Sequence, residues 1–344
     1  MSTGVQSKLQ NVIILRSFAI VAVVLYHCYC PWLYAWNWVE SPARPIYSFI
    51  MEVLLVGRMP LFVFVSGYLF SHLYNDRGKY QNFIPFLKNK FKRLLTPLLL
   101  FAGLMSICLQ KNYIDMIVGD GGFHLWFLKM LFWSFMACWL VAKYVKSTWL
   151  EIGVLAISVI MMFMPFPKIL GLSQFSKYFV FFLGGYLFYK YRNNTGVVRK
   201  TTIIWWGGVA YITLCLVCLW QYLTNPQSAF QDIIHTNHLV AVSRDILRPI
   251  TVIMAFMLID AILAQYNKAI PKIFDSLNKM SYGIYLFHML FIQLIAKYLW
   301  GQVEPFFIQH YVLTPVLLFI IIFTASAYMT HILHKTKWGI WLIG

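Results

Sequence analysis

Apolar residues fill ten long stretches of the chain, near residues 12–30, 46–72, 94–110, 124–143, 151–166, 175–190, 203–223, 248–265, 281–299 and 312–333, with polar residues gathered between them. Each stretch is about 16 to 27 residues, against the ~20 that an α-helix rising 1.5 Å per residue needs to cross a hydrocarbon core of about 30 Å. The pattern predicts an all-α fold: a polytopic membrane helix bundle of about ten transmembrane helices, forming one domain over residues 1–344 with no separate soluble domain. Two stretches are marginal, one because it is short and ends in Pro165 and Pro167, the other because it begins at Pro97.

Composition agrees, since 60% of residues are hydrophobic and only 11% charged, where soluble domains carry about a quarter. The net charge of +17 would suit nucleic acid, but its distribution excludes that partner. Lys8, the run from Arg77 to Arg93, Lys143, Lys146, the run from Lys190 to Lys200, Lys268 to Lys279, Lys335 and Lys337 fall in alternate connecting segments. Cations at span ends favour the cytoplasm, so the N- and C-termini are both expected there. Tyr29, Cys30, Pro31 and Trp32 follow the first span in place of a small-residue cleavage site, so it reads as a signal anchor. Cys215 and Cys218 form a CxxC on a span, which at that depth suits packing better than redox or zinc chemistry, and no metal-ligand cluster is apparent.

Function must then be sought in polar residues placed where lipid makes them costly, about 2.5–3.5 kcal/mol for an Arg or Lys at a span centre. The first span carries Arg16 and His27 in RSFAIVAVVLYH. Eleven steps of about 100° bring the two onto one helix face roughly 16 Å apart, as expected of a stripe lining a narrow polar path. His27 has the chemistry of a general base, while an acyl-His intermediate stays open as an alternative.

An Arg, ten residues and a His on the first span resemble the signature of the membrane acyltransferase-3 family. MPLFVFVSGYLF (Met59–Phe70), with Ser66 and Gly67, resembles its second span. KFKRLLTP (Lys90–Pro97) is similar to its basic Arg-x-x-Arg stretch, with Lys90 in place of the first Arg and Arg93 as the second. HLWFLKML (His124–Leu131) and SYGIYLFH (Ser281–His288) resemble its fourth and penultimate spans. The resemblance covers essentially the whole chain. It implies transfer of an acyl group, usually acetyl from acetyl-CoA as co-substrate with no bound cofactor, to a sugar hydroxyl of a surface polysaccharide or lipid-linked glycan. It further implies a multi-pass protein of the bacterial inner membrane. The anionic coenzyme A phosphates would meet Lys90, Arg93 and Arg16 on the cytoplasmic side, and the thioester would reach His27 near the far side. Because the chain stops soon after span ten, no appended esterase-like domain is expected.

The remaining candidates support that reading. His124 and Trp126 are placed on the acceptor side, Trp126 as a flat face for a sugar or as an interfacial aromatic. Lys129 would pair with an acid or reach the coenzyme. On a straight second span Glu52 and Arg58 would lie about 9 and 18 Å deep and about 120° apart, poor mutual partners, with Glu52 able to orient His27. Ser66 reads as a close-approach residue and not a nucleophile. His288, counted from residue 281, would lie about 10 Å from the cytoplasmic end of its span, touching the coenzyme arm or bonded within the core. Asp232, His235, His238, Arg244, Asp245 and Arg248 form an outer-loop cluster for glycan or solvent. The alternative is a transporter or glycan flippase without acyl-transfer chemistry; no inverted pair of broken helices supports it, and it leaves Arg16 and His27 idle.

Overall fold

The structure, a computed structural model, describes residues 3–33, 36, 38–119, 122–191, 200–224, 238–265 and 270–343. Among them every regular element is helical: α1 (Thr3–Tyr29), α2 (Arg44–Ser48), α3 (Arg58–Ser71), α4 (Phe83–Lys90), α5 (Thr96–Leu109), α6 (Tyr113–Ile117), α7 (Trp126–Tyr144), α8 (Thr148–Phe163), α9 (Leu172–Tyr191), α10 (Lys200–Thr224), α11 (His238–Gln265), α12 (Lys272–Tyr298), α13 (Trp300–Gln309), α14 (Thr314–His334) and α15 (Lys337–Ile343). All ten apolar stretches fall on helices, but not all are spans by length and hydropathy. Among the described residues seven are long and apolar enough to cross a membrane: Gln10–Trp32, Arg44–Asp76, Phe83–Leu109, Phe123–Tyr144, Asp245–Leu263, Lys272–Tyr298 and Thr314–His334. The expected count of ten spans is therefore not confirmed among the described residues. Thr148–Phe163 and Ile204–Trp220 are shorter apolar helices, and α9 is diluted by Ser173, Gln174, Ser176 and Lys177.

Two boundaries differ from the hydropathy reading in ways that move the site. Helix α12 begins at Lys272, nine positions before its apolar stretch, because the segment KIFDSLNKM is amphipathic and too polar to register as membrane. The second apolar stretch is broken: α2 runs into a π-helical segment, Phe49–Leu54, the chain turns at 55–57, and α3 starts at Arg58. Pro60 near the start of α3 has no N–H to donate backward. A Cβ on Gly57 would lie 2.5 Å from Thr251 Cγ2, so the turn depends on a residue without one.

The chain divides into two compact units, Met1–Leu61 with Val197–Ala327, and Phe62–Gly196 with Tyr328–Gly344. In the first, α1 packs on α12 and α11, and α10 packs on α11 and on the Phe49–Leu54 segment. Cys215 and Cys218 fill a cluster there with Val53, Val56 and Leu247, and all six cysteines are free thiols. In the second, α9 packs on α7 and α8. Helices α3 and α9 touch backbone to backbone: a Cβ on Gly67 would fall 1.9 Å from the Phe182 carbonyl oxygen, and one on Gly185 2.0 Å from that of Phe64. Small residues at a crossing give such closeness in membrane proteins. Ser66 beside it donates its hydroxyl to the Phe62 carbonyl at 2.8 Å.

Candidate active site

Helices α1 and α12 run in the same direction, because residues 16 and 17 of α1 meet residues between 274 and 281 of α12, and His27, further along α1, meets His288, further along α12. Ser17 Oγ bonds the Phe274 carbonyl at 3.1 Å, Arg16 Nη2 donates to Ser281 Oγ at 3.1 Å, and His288 Nε2 lies 3.2 Å from His27 Nδ1. Arg16 and His27 thus leave one face of α1 and both turn to α12. The expected polar path along that face is absent. Ile20 and Val23, which occupy it between the two, have no exposed surface, so the face is a packed seam, while His27 itself is partly exposed.

His27 and His288 form a directed pair. His288 Nδ1 faces the carbonyls of Tyr285 at 2.7 Å and Ile284 at 3.2 Å. A carbonyl only accepts, so the proton belongs on Nδ1 and Nε2 carries the lone pair. By the same argument His27 Nδ1, 2.9 Å from the Val23 carbonyl, bears a proton shared between that oxygen and His288 Nε2. His27 Nε2 is left as the basic nitrogen, with no protein hydrogen bond among the described residues. The rings lie 5.0 Å apart at 50°. This places His288 beside the general-base candidate, deeper in its helix than a count from residue 281 gave.

Tyr26 braces His27 from the neighbouring position. Its ring meets the imidazole edge-on at 5.2 Å, its hydroxyl donates to Glu52 Oε1 at 2.7 Å, and the Arg58 guanidinium lies 3.4 Å from its ring centre. Arg58 also donates to the Met51 and Leu55 carbonyls, each at 2.9 Å. Glu52 and Arg58, poor partners on a straight helix, meet on one tyrosine because the helix between them is broken.

The other candidates lie in the second unit. Lys90 is 7% exposed, its ammonium 3.5 Å from the Phe135 ring centre and 4.9 Å from that of Tyr80, an aromatic cage in place of the open phosphate contact expected of it. Arg93 is exposed. Lys129 donates to the Gly119 carbonyl at 2.6 Å and to that of Met116 at 3.3 Å, satisfying carbonyls where α6 ends. His124 is 3% exposed, and Trp126, partly exposed, stacks on Tyr178 at 5.4 Å. Asp232 and His235 lie outside the described residues. His238, Arg244, Asp245 and Arg248 sit on α11 and not in a loop, with Arg248 paired to Asp245 at 2.5 Å. Among the described residues no three His, Cys, Asp or Glu side chains are placed to hold a metal ion.

Sequence reasoning missed the aromatic cluster beside His27. Trp36 lies 6.3 Å from the imidazole and stacks on Trp38 at 4.7 Å, and Trp38 meets Trp300 edge to face at 5.3 Å. The repeated tryptophans just after His27 were the available signal. Comparison with known families matches residues 9–331 to an acyltransferase domain, the acyltransferase-3 family; no curated protein and no solved structure matches.

Proposed function

The chain belongs to the acyltransferase-3 family and is a multi-pass membrane acyltransferase, and from that premise we propose that it transfers acetyl from acetyl-CoA to a sugar hydroxyl of a cell-surface or lipid-linked glycan, with His27 as general base. The observation that carries this reading is the placement of His27 Nδ1 between the Val23 carbonyl and His288 Nε2, which assigns the resting proton to Nδ1 and leaves Nε2 as the nitrogen able to take a proton. As Nε2 accepts the hydroxyl proton, the sugar oxygen attacks the thioester carbonyl. The new C–O bond forms, the C–S bond breaks, and the imidazolium returns the proton to the leaving thiolate, giving ester and free coenzyme A. A positioned base of this kind contributes about 10²–10⁴-fold.

In this reading all ten apolar helices belong to one domain of a bacterial inner membrane, with both termini in the cytoplasm, where the cations gather. Arg93, exposed, attracts the coenzyme phosphates. The acetyl-bearing arm cannot follow the packed seam between α1 and α12 and comes to His27 from the side on which its ring is exposed. The test is labelled acetyl-CoA given to membrane vesicles. His27→Ala should insert normally and lose the acetylated glycan, whereas acylation surviving in that variant would remove His27 from the chemistry.

A further inference from the structure

We infer that Trp36, Trp38 and Trp300 form the subsite that seats the acceptor's sugar ring against His27, an inference that rests on the acyl-transfer reading above. A hydroxyl losing its proton to Nε2 must come within about 3 Å of it, so the ring bearing that hydroxyl lies only a few ångströms further on. Trp36 lies in that range, 6.3 Å from the imidazole, with Trp38 stacked on it and Trp300 against Trp38; Tyr26 and His288, also near the ring, are engaged with Glu52 and with the carbonyls of α12. All three are partly exposed, while Trp32, which stacks on Phe307 at 5.3 Å behind them, is fully buried. Among the described residues none of the three indole N–H groups donates to a protein acceptor, and none is buried. An uncharged ring offering apolar surface, negative on its face, together with a free N–H donor matches a pyranose, which presents C–H bonds on one side and hydroxyls at its rim.

The residues on either side of Trp36 and Trp38 are tied to the chain at the end of α1. The backbone N–H groups of Trp38 and Val39 both donate to the Pro31 carbonyl at 3.0 Å. Arg44 donates through Nε to the Trp32 carbonyl at 3.1 Å and through Nη2 to that of Val39 at 2.7 Å. Tryptophans that only anchor a helix at the bilayer surface need neither mutual stacking nor a clamp on their backbone. A preorganised platform beside a base is what positions a reactant.

Vesicles carrying the protein, labelled acetyl-CoA and the producing cell's own envelope glycan, titrated, separate the possibilities. Trp36→Ala should raise the KM for glycan about ten-fold with the KM for acetyl-CoA unchanged, and Trp36→Phe should recover most of the loss. If Trp36→Ala does not insert, Trp36→Leu, which keeps apolar bulk but not the flat face, reads the same constant. An unchanged glycan KM in an inserted variant, or an equal rise in both constants, overturns the subsite alone. A wild-type protein that transfers no label to glycan overturns the acyl-transfer reading and the subsite with it.

Discussion

Replacing His288 tests the directed pair most sharply. In the resting enzyme the His27 Nδ1–H is shared between the Val23 carbonyl at 2.9 Å and His288 Nε2 at 3.2 Å. When His27 takes up the substrate proton its ring becomes cationic, and both bonds then run from a charged donor. A hydrogen bond to a charged group contributes about 1.5–3 kcal/mol, so losing the His288 half should slow kcat by roughly ten- to a hundred-fold, while Val23 alone still holds the tautomer. His288→Ala should therefore reduce kcat and leave both KM values unchanged. His288→Gln, which can present an amide oxygen near the place of Nε2, should recover part of the rate. Initial rates of labelled acetyl transfer, at saturating and at limiting acetyl-CoA, supply the numbers. An unchanged kcat would refute the argument, and a raised KM for acetyl-CoA with normal kcat would show that His288 touches the donor instead.

Five further variants test the geometry. Arg93→Gln should raise the KM for acetyl-CoA about ten-fold, an effect that weakens with added salt, whereas Lys90→Met, which keeps the aromatic cage filled, should leave that constant alone; steady-state kinetics at two ionic strengths read both. Tyr26→Phe deprives Glu52 of a hydrogen bond and should cost about 1–3 kcal/mol of stability, visible as a lower melting temperature in detergent. Gly67→Ala forces a methyl into the Phe182 backbone and should cost at least the upper end of the roughly 1–3 kcal/mol of overpacking, measured as lost folded yield. Gly153→Ala in α8, where a Cβ meets nothing within 4 Å, should be neutral or gain roughly 0.5–1 kcal/mol.

Much of the helical layout was legible because lipid imposes it: runs such as VIIL and LLLF must be buried in hydrocarbon whatever their tertiary partners. The shared face of Arg16 and His27 was equally readable, since it follows from helix pitch alone. What escaped required either backbone detail or long-range contact. Hydropathy cannot see the turn at 55–57, and averaging hides the polar first turns of α12, which misplaced His288 by more than two turns. The ring cage around Lys90 and the meeting of Trp38 with Trp300 join residues far apart in sequence, for which no local pattern exists. The seam formed by Ile20 and Val23 was misread for a related reason. A stripe of apolar residues between two polar ones fits a channel wall and a helix interface alike, and only the neighbour on α12 decides.

The two halves of the histidine pair are 261 positions apart, so the ribosome delivers one well before the other. At about 5–20 residues per second, His27 waits roughly 13 to 50 s for its companion. During that interval Arg16 lacks Ser281 as its partner. A nascent chain thus lacks the His288 half of the pair until α12 inserts. The same division makes the enzyme a natural candidate for two-piece complementation, in which a fragment bearing α1 gains its full rate when a separately made fragment bearing α12 joins it in the bilayer.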